Sequence, residues 1–385
     1  MRSKMECRRP RWPLAVAALG LACVLGATLA PYGGRPSALF HMDIERAELY
    51  DVPVGFVVLD VPGYDGMQYY HMARSLGGLF TPAGRDALVD APNLAYSMQR
   101  MLLPALAAIL SGGAAAALPW AFLLLNTAAL IVACAALLRA SPNAWWAALA
   151  IAFCPAAMVG LHFSLAEPLT LALLAVLLAR FVRRGKYDLV DALLLSGLVL
   201  TREINFVLPL LALAERVLRR SWREAALLLL PIAVFAAWHA IIQAVFGTMP
   251  FLLSAEKRTL PFFAIAELLS GVRGWNVLTL SSAALFIGFW VPACALALRA
   301  LRRSIADPLA LGTLAFLGVM SMMPDHIWGS MTSIGRVITP VYPFALFLAA
   351  REGTPFARIV AFSTLALGLA AAFGLAVQVH PWNLA

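Results

Sequence analysis

The chain has 385 residues, 62% of them hydrophobic and 13% charged, with a mean hydropathy of +0.84. Soluble domains carry about a quarter charged residues, so this composition excludes a water-soluble enzyme. The net charge of +9 does not signal nucleic acid, because the basic residues sit in short clusters between apolar runs, which is the pattern of membrane orientation.

Apolar runs recur along the whole sequence and predict one polytopic all-α membrane domain over residues 1–385. The first span, about 13–30, follows Arg2, Lys4, Arg8, Arg9 and Arg11 and reads as an uncleaved signal anchor rather than a cleaved signal peptide. A long outer loop, residues 31–118, comes next. Its apolar run at 101–110 is short for a crossing and reads as re-entrant or interfacial. Further spans are drawn at about 118–138, 144–161, 166–182, 188–201, 204–218, 224–246, 277–298, 308–323, 337–350 and 355–378, giving about eleven in all. Basic clusters at Arg180, Arg183, Arg184 and Lys186, at Arg216, Arg219, Arg220 and Arg223, and at Arg299, Arg302 and Arg303 assign their ends to the cytoplasm. The N-terminus is then inside and the C-terminus outside. Cys7, Cys23, Cys134, Cys154 and Cys294 avoid the polar loops, so no disulfide framework is expected.

The middles of the spans are nearly free of ionisable groups, with His239 the clear exception. An ion-coupled transporter keeps such groups at mid-membrane depth, so that class is disfavoured, and His239 reads as a helix-packing hydrogen-bonder rather than a proton relay. Charge gathers instead on the outer face. The first loop carries Asp43, Glu45, Glu48, Asp51, Asp60, Asp65, Asp86 and Asp90, and a loop this long is usually functional.

Within it, VPGYDGMQYYHMAR (61–74) uses a Pro-Gly turn to deliver Asp65, flanked by Tyr64 and Gln68, to the start of a helix. Tyr69, Met72, Ala73 and Leu76 share one face, which predicts a helix lying in the membrane interface. Asp65 is either a helix cap or a functional carboxylate. YSMQRMLLP (96–104) puts Gln99 and Arg100 where the short segment enters the membrane, and Arg100 there either snorkels or binds a phosphate bidentately. In SLAEP (164–168) the Ser-x-x-Glu spacing favours a capping box, with Glu167 facing the outer cavity as the alternative. TREIN (201–205) joins two short helices with almost no loop. Arg202 therefore needs an anionic partner near the membrane surface, either Glu203 or a lipid phosphate. GRVITPVYP (335–343) starts a span from outside with Arg336 and carries Tyr342, while Lys257 and Arg258 read as ordinary loop charges. No nucleotide-binding loop, HExxH or CxxC is present, and the histidines are too scattered to suggest a metal site.

Together, the GYDGxxYYxxAR stretch, YxxQRxLLP, the outward AEP, the L-T-R between short helices and the R-V-x-x-P near the end resemble bacterial polytopic glycosyltransferases of the GT-C type. They are similar in particular to lineages grouped with GPI-pathway mannosyltransferases and cell-surface glycopolymer proteins, over about residues 12–350. The resemblance implies a bacterial inner-membrane enzyme that moves a sugar from a polyprenyl-phosphate donor to a glycan, lipid or protein acceptor on the extracytoplasmic face. Asp65 matches the acidic residue of the first outer loop, and Asp43 stands as its rival because no paired-acid motif is present. Arg100, Arg202 and Arg336 are the expected donor-phosphate ligands, and Tyr64, Gln68, Gln99, Glu167, Glu203 and Tyr342 are further site candidates. No cofactor is firmly implied, a divalent metal stays open, and the expected partners are membrane lipid and lipid-linked sugar, not nucleic acid. The rival class is a flippase or accessory subunit that handles lipid-linked saccharides without forming a bond.

Overall fold

The computed structural model describes residues 12–60, 63–81, 94–249, 262–271, 276–328 and 331–378. The N-terminal basic cluster, Asp86, Asp90, Lys257 and Arg258 lie outside the described residues. Among the described residues the chain is helical, with no strand beyond one isolated bridge between Met42 and Val58.

Among the described residues, six helices are long and apolar enough to cross a membrane: Trp12–Tyr32, Leu118–Ala140, Trp145–His162, Trp222–Phe246, Thr279–Leu301 and Pro355–Ala376. A seventh candidate is the pair Leu94–Arg100 and Leu102–Ser111, bent by 79°. That bend falls in the segment expected to be re-entrant or interfacial. Other spans drawn from the sequence correspond to shorter helices. Leu189–Thr201 has 13 residues, about 20 Å of helix against a hydrocarbon core of about 30 Å. Glu167–Arg184 has the length but carries Glu167, Arg180, Arg183 and Arg184.

Burial sorts these helices into layers. In Trp145–His162 nearly every residue is buried and the segment sits at the centre, whereas most residues of Trp12–Tyr32 and Trp222–Phe246 are not buried and turn apolar surface outward. The central helix is also broken. It stops at Ala152 and restarts at Pro155, whose nitrogen has no hydrogen to donate. Such a break is tolerated at membrane depth only inside protein. Gly368 of the last helix covers it so closely that an added Cβ would overlap the Phe153 carbonyl.

Two features position the site. At one end of the bundle, Asp188 and Asp191 form a capping box that starts the helix Leu189–Thr201, and both bind Arg180. Arg216 stacks on Tyr187 and pairs with Glu224, tying the next two helices to the same end. This clamp fixes where Leu189–Thr201 begins, so Arg202 emerges at its opposite end. In the long segment between Trp12–Tyr32 and Leu118–Ala140, Phe40 packs edge-on against Tyr70 and Phe122, with ring centroids 5.4 and 5.1 Å apart, seating the segment on Leu118–Ala140. The helix Asp65–Ser75 departs from expectation here. Tyr69, Met72 and Ala73 are buried against protein, so their face does not lie in the membrane interface.

Candidate functional site

Five pieces of chain meet at the Arg202 end of the helix Leu189–Thr201: the start of Asp65–Ser75, the turn Met98–Arg100, the start of Glu167–Arg184, the break at Arg202, and the helix Met331–Val337. They bring together six charged side chains in an alternating chain. Glu203 receives a two-pronged contact from Arg100, Nε to Oε2 at 3.1 Å and Nη2 to Oε1 at 3.0 Å. Arg100 Nη1 donates to Asp65 Oδ2 at 3.4 Å, and Arg336 Nη2 donates to the same oxygen at 2.8 Å. Arg336 Nε then reaches Glu167 Oε1 at 2.9 Å, and Arg202 Nη1 meets that oxygen at 3.0 Å. Three cations and three anions balance, as buried charges must if none is to be left uncompensated.

Local sequence explains each placement. Ser164 takes φ +52°, and the chain re-enters helix at Ala166 with no side-chain cap. Gly160 lets the Pro168 ring sit where an added Cβ would lie 2.5 Å from its Cδ, which brings Glu167 inward. The capping box expected at Ser164 and Glu167 is therefore absent, and the Glu167 carboxylate turns to the two arginines. Asp65 is not a cap either. The N-cap position is held by Tyr64 with no side-chain bond, and the Asp65 carboxylate faces the guanidiniums.

Arg202 has extended backbone (φ −156°, ψ 138°) between helical Thr201 and the turn Glu203–Phe206. Asn205 Nδ2 holds this break open by donating to the Leu198 carbonyl and to Thr201 Oγ1, both at 3.0 Å. Consecutive side chains in extended backbone point opposite ways. Arg202 thus goes to Glu167 and Glu203 goes to Arg100, so the expected Arg202–Glu203 pair does not form. Arg100 does not snorkel to solvent. Its side chain is 4% exposed and engages Glu203, Asp65 and the Tyr96 hydroxyl.

The remaining candidates divide. Tyr64 accepts from Arg336 at 3.0 Å and stacks on Phe163, with centroids 4.0 Å apart. Gln68 accepts from the Ser97 hydroxyl, and Gln99 bonds the Tyr96 carbonyl and the His239 ring. His239 therefore braces the turn that carries Arg100, as does Trp238, which donates to the Met98 carbonyl at 2.7 Å. Asp43 caps the helix Ile44–Leu49 through the Arg46 amide and accepts from the Gly63 amide at 3.3 Å. It holds the approach to Asp65 without joining the charged chain. Tyr342 lies apart, buried against Phe289, and its hydroxyl has no hydrogen-bond partner among the described residues. Tyr96 is the site residue that the motif reading overlooked. Its position four before Arg100 signals one helical face, and it contacts Arg100 and Glu203.

Exposure grades the carboxylates. Glu167 is 1% exposed, Glu203 26% and Asp65 38%. Burial pushes the Asp65 carboxyl up, but Arg336 and Arg100 outweigh it and hold the group below the ordinary aspartate range. Burial likewise raises Glu203, and Arg100 overcomes it, pulling the group down to about 2. Depressed carboxylates stabilise the folded state above their unfolded values near 4, and that stability is lost as pH falls through the folded values. The melting temperature in detergent is therefore expected to hold steady from about pH 8 to 5 and to drop below about 4.5. Glu203→Gln should flatten that drop; an unchanged acid profile would contradict the ion pair. Among the described residues no group of three or more His, Cys, Asp or Glu side chains is arranged to hold a metal ion.

No protein family, curated protein or solved structure matches the chain. The functional reading accordingly rests on the geometry of these six charges and on the membrane fold that buries them.

Proposed function

We propose that this protein is an integral-membrane glycosyltransferase of GT-C type. It transfers a sugar from a polyprenyl-phosphate donor to an acceptor hydroxyl at the extracytoplasmic face of a bacterial inner membrane, with the topology of about eleven spans and the cytoplasmic N-terminus drawn above. The observation that carries this reading is Asp65, a partly exposed carboxylate set over guanidiniums that are nearly inaccessible. That combination offers a proton acceptor beside an anion-stabilising floor, and in-line attack has the donor's sugar separate the two when it binds.

In the reaction, Asp65 takes the proton of the acceptor hydroxyl as its oxygen attacks the anomeric carbon from the face opposite the phosphate. The bond from the anomeric carbon to the phosphate oxygen breaks, the electron pair leaves with the polyprenyl phosphate, and configuration inverts. Arg100 and Arg336 meet the charge that builds on the leaving oxygen, while Arg202 and Glu167 hold Arg336 in place. Arginine suits this task because its planar fork keeps its charge and matches phosphate oxygens. The unmet capacity of Glu167 Oε2 and Arg202 Nε, both buried without a partner among the described residues, also supports a functional site.

The test is transfer in liposomes from a panel of radiolabelled polyprenyl-phosphate sugars, with membrane extract as acceptor. Label appearing in a new product supports the enzyme. Donor binding without transfer across the whole panel favours a flippase or accessory subunit and sinks the enzyme reading.

A further inference from the structure

The charged chain has a middle link. Asp65 joins the Arg100–Glu203 pair to the Arg336–Glu167–Arg202 group, and it does so through Oδ2 alone, which accepts from both Arg100 and Arg336. A single anionic oxygen held between two guanidiniums is the contact that a phosphate oxygen would make. The three carboxylates also differ in how readily they can be moved. Glu167 forms a 1% exposed floor, whereas Asp65 and Glu203 lie on the open side of the arginines.

We infer that Asp65 occupies the donor's phosphate position in the free protein, and that the arriving phosphate monoester or diester displaces it from Arg100 and Arg336. The inference rests on the proposed lipid-phosphate donor and adds a step to it: binding the donor is what releases the base.

Several physical consequences agree. The resting site is neutral, with three arginines matched by three carboxylates, so a phosphate entering without moving Asp65 would add uncompensated negative charge to a poorly solvated cluster. Displacement keeps both arginines paired and swings the Asp65 carboxylate toward solvent, where its side chain is already 38% exposed. Once released, Asp65 faces a new anion where two cations stood, so it binds a proton more readily. The group is thus a weak base while the site is empty and a better one beside the donor phosphate. Glu167 keeps Arg336 and Arg202 fixed throughout, because it contacts them from beneath.

The experiment measures equilibrium binding of farnesyl phosphate, a short prenyl phosphate, to the full-length protein in detergent. Wild type is compared with Asp65→Asn, Glu203→Gln and Asp51→Asn. Asp51 is a control of equal charge change in the same loop, 92% exposed and paired with Arg74. Removing a competing internal anion tightens binding: Asp65→Asn should bind at least about fivefold more tightly, ~1 kcal/mol by RT ln 5, with Asp51→Asn unchanged. Glu203→Gln should tighten it less, because Glu203 shares Arg100 alone. This second variant also carries the test if Asp65→Asn does not fold. Measurable wild-type binding that is unchanged or weakened in both variants overturns the displacement and leaves the transferase reading to its own assay. No binding by folded wild type or either variant overturns the displacement together with the phosphate site. A kinetic signature follows as well: the acid limb of kcat, set in the donor complex, should lie at higher pH than that of kcat/KM, set in the free enzyme. Coincident limbs would contradict release of the base.

Discussion

Asp65→Asn is expected to lower sugar transfer by about a hundredfold to ten-thousandfold, the usual cost of losing a general base. The expectation follows from the asymmetry of the site. Among the six charges, Asp65 is the carboxylate with the greatest exposure, and it alone touches both Arg100 and Arg336. An amide keeps the size and one acceptor oxygen, so the floor beneath it stays assembled while the proton acceptor is gone. The melting temperature should fall less than on loss of Glu167, because Asp65 is itself 38% exposed and Arg100 and Arg336 keep Glu203 and Glu167 as partners. Transfer above a tenth of wild type in a folded Asp65→Asn would remove Asp65 from the reaction. Asp43→Asn gives the contrast. Asp43 receives the Arg46 and Gly63 amides, so its loss should loosen the approach to Asp65 and cost activity through stability rather than chemistry.

How far the sequence foretells this site depends on which forces decide each placement. Membrane class and helical content follow from hydropathy, because backbone groups in hydrocarbon must satisfy one another within helices. Arg100, Arg202 and Arg336 stand out as costly charges at helix ends, and all three enter one cluster. Partner choice is different. Ser164 and Glu167 have the spacing of a capping box, yet two arginines from helices distant in sequence outbid a backbone amide. Arg202 and Glu203 are neighbours, yet the extended backbone at Arg202 sends them to opposite sides. Both outcomes are set by tertiary electrostatics that local spacing does not encode. Tyr342 illustrates the converse: it shares a motif with Arg336, but its ring packs on Phe289 away from the charges. The number of crossings is weakly specified for a related reason. A short helix such as Leu189–Thr201 has span-like composition but not span-like length, and composition is what the sequence displays.

Glu167→Ala should be the most destabilising change in the site, by about 3–5 kcal/mol, the cost of leaving a buried partner charge uncompensated. Glu167 Oε1 accepts from Arg336 and Arg202 at once, and the three side chains are 1%, 9% and 6% exposed. Arg336 retains Asp65 and the Tyr64 hydroxyl when Glu167 is lost. Arg202 retains only the Arg336 carbonyl, at 2.7 Å, among the contacts of its Nη1. The stranded charge is therefore chiefly that of Arg202, and relief should come from removing it. Glu167→Leu combined with Arg202→Met should recover a large part of the lost stability, because replacing both members of a buried pair by apolar groups is often neutral. The measurement is a double-mutant cycle on melting in detergent. A coupling below about 0.5 kcal/mol, the size of an ordinary exposed pair, would mean that the site is hydrated and that Glu167 is no buried floor. A large coupling would establish Glu167 as the buried anchor of Arg202 and Arg336, the fixed floor that the proposed exchange of Asp65 for a phosphate requires.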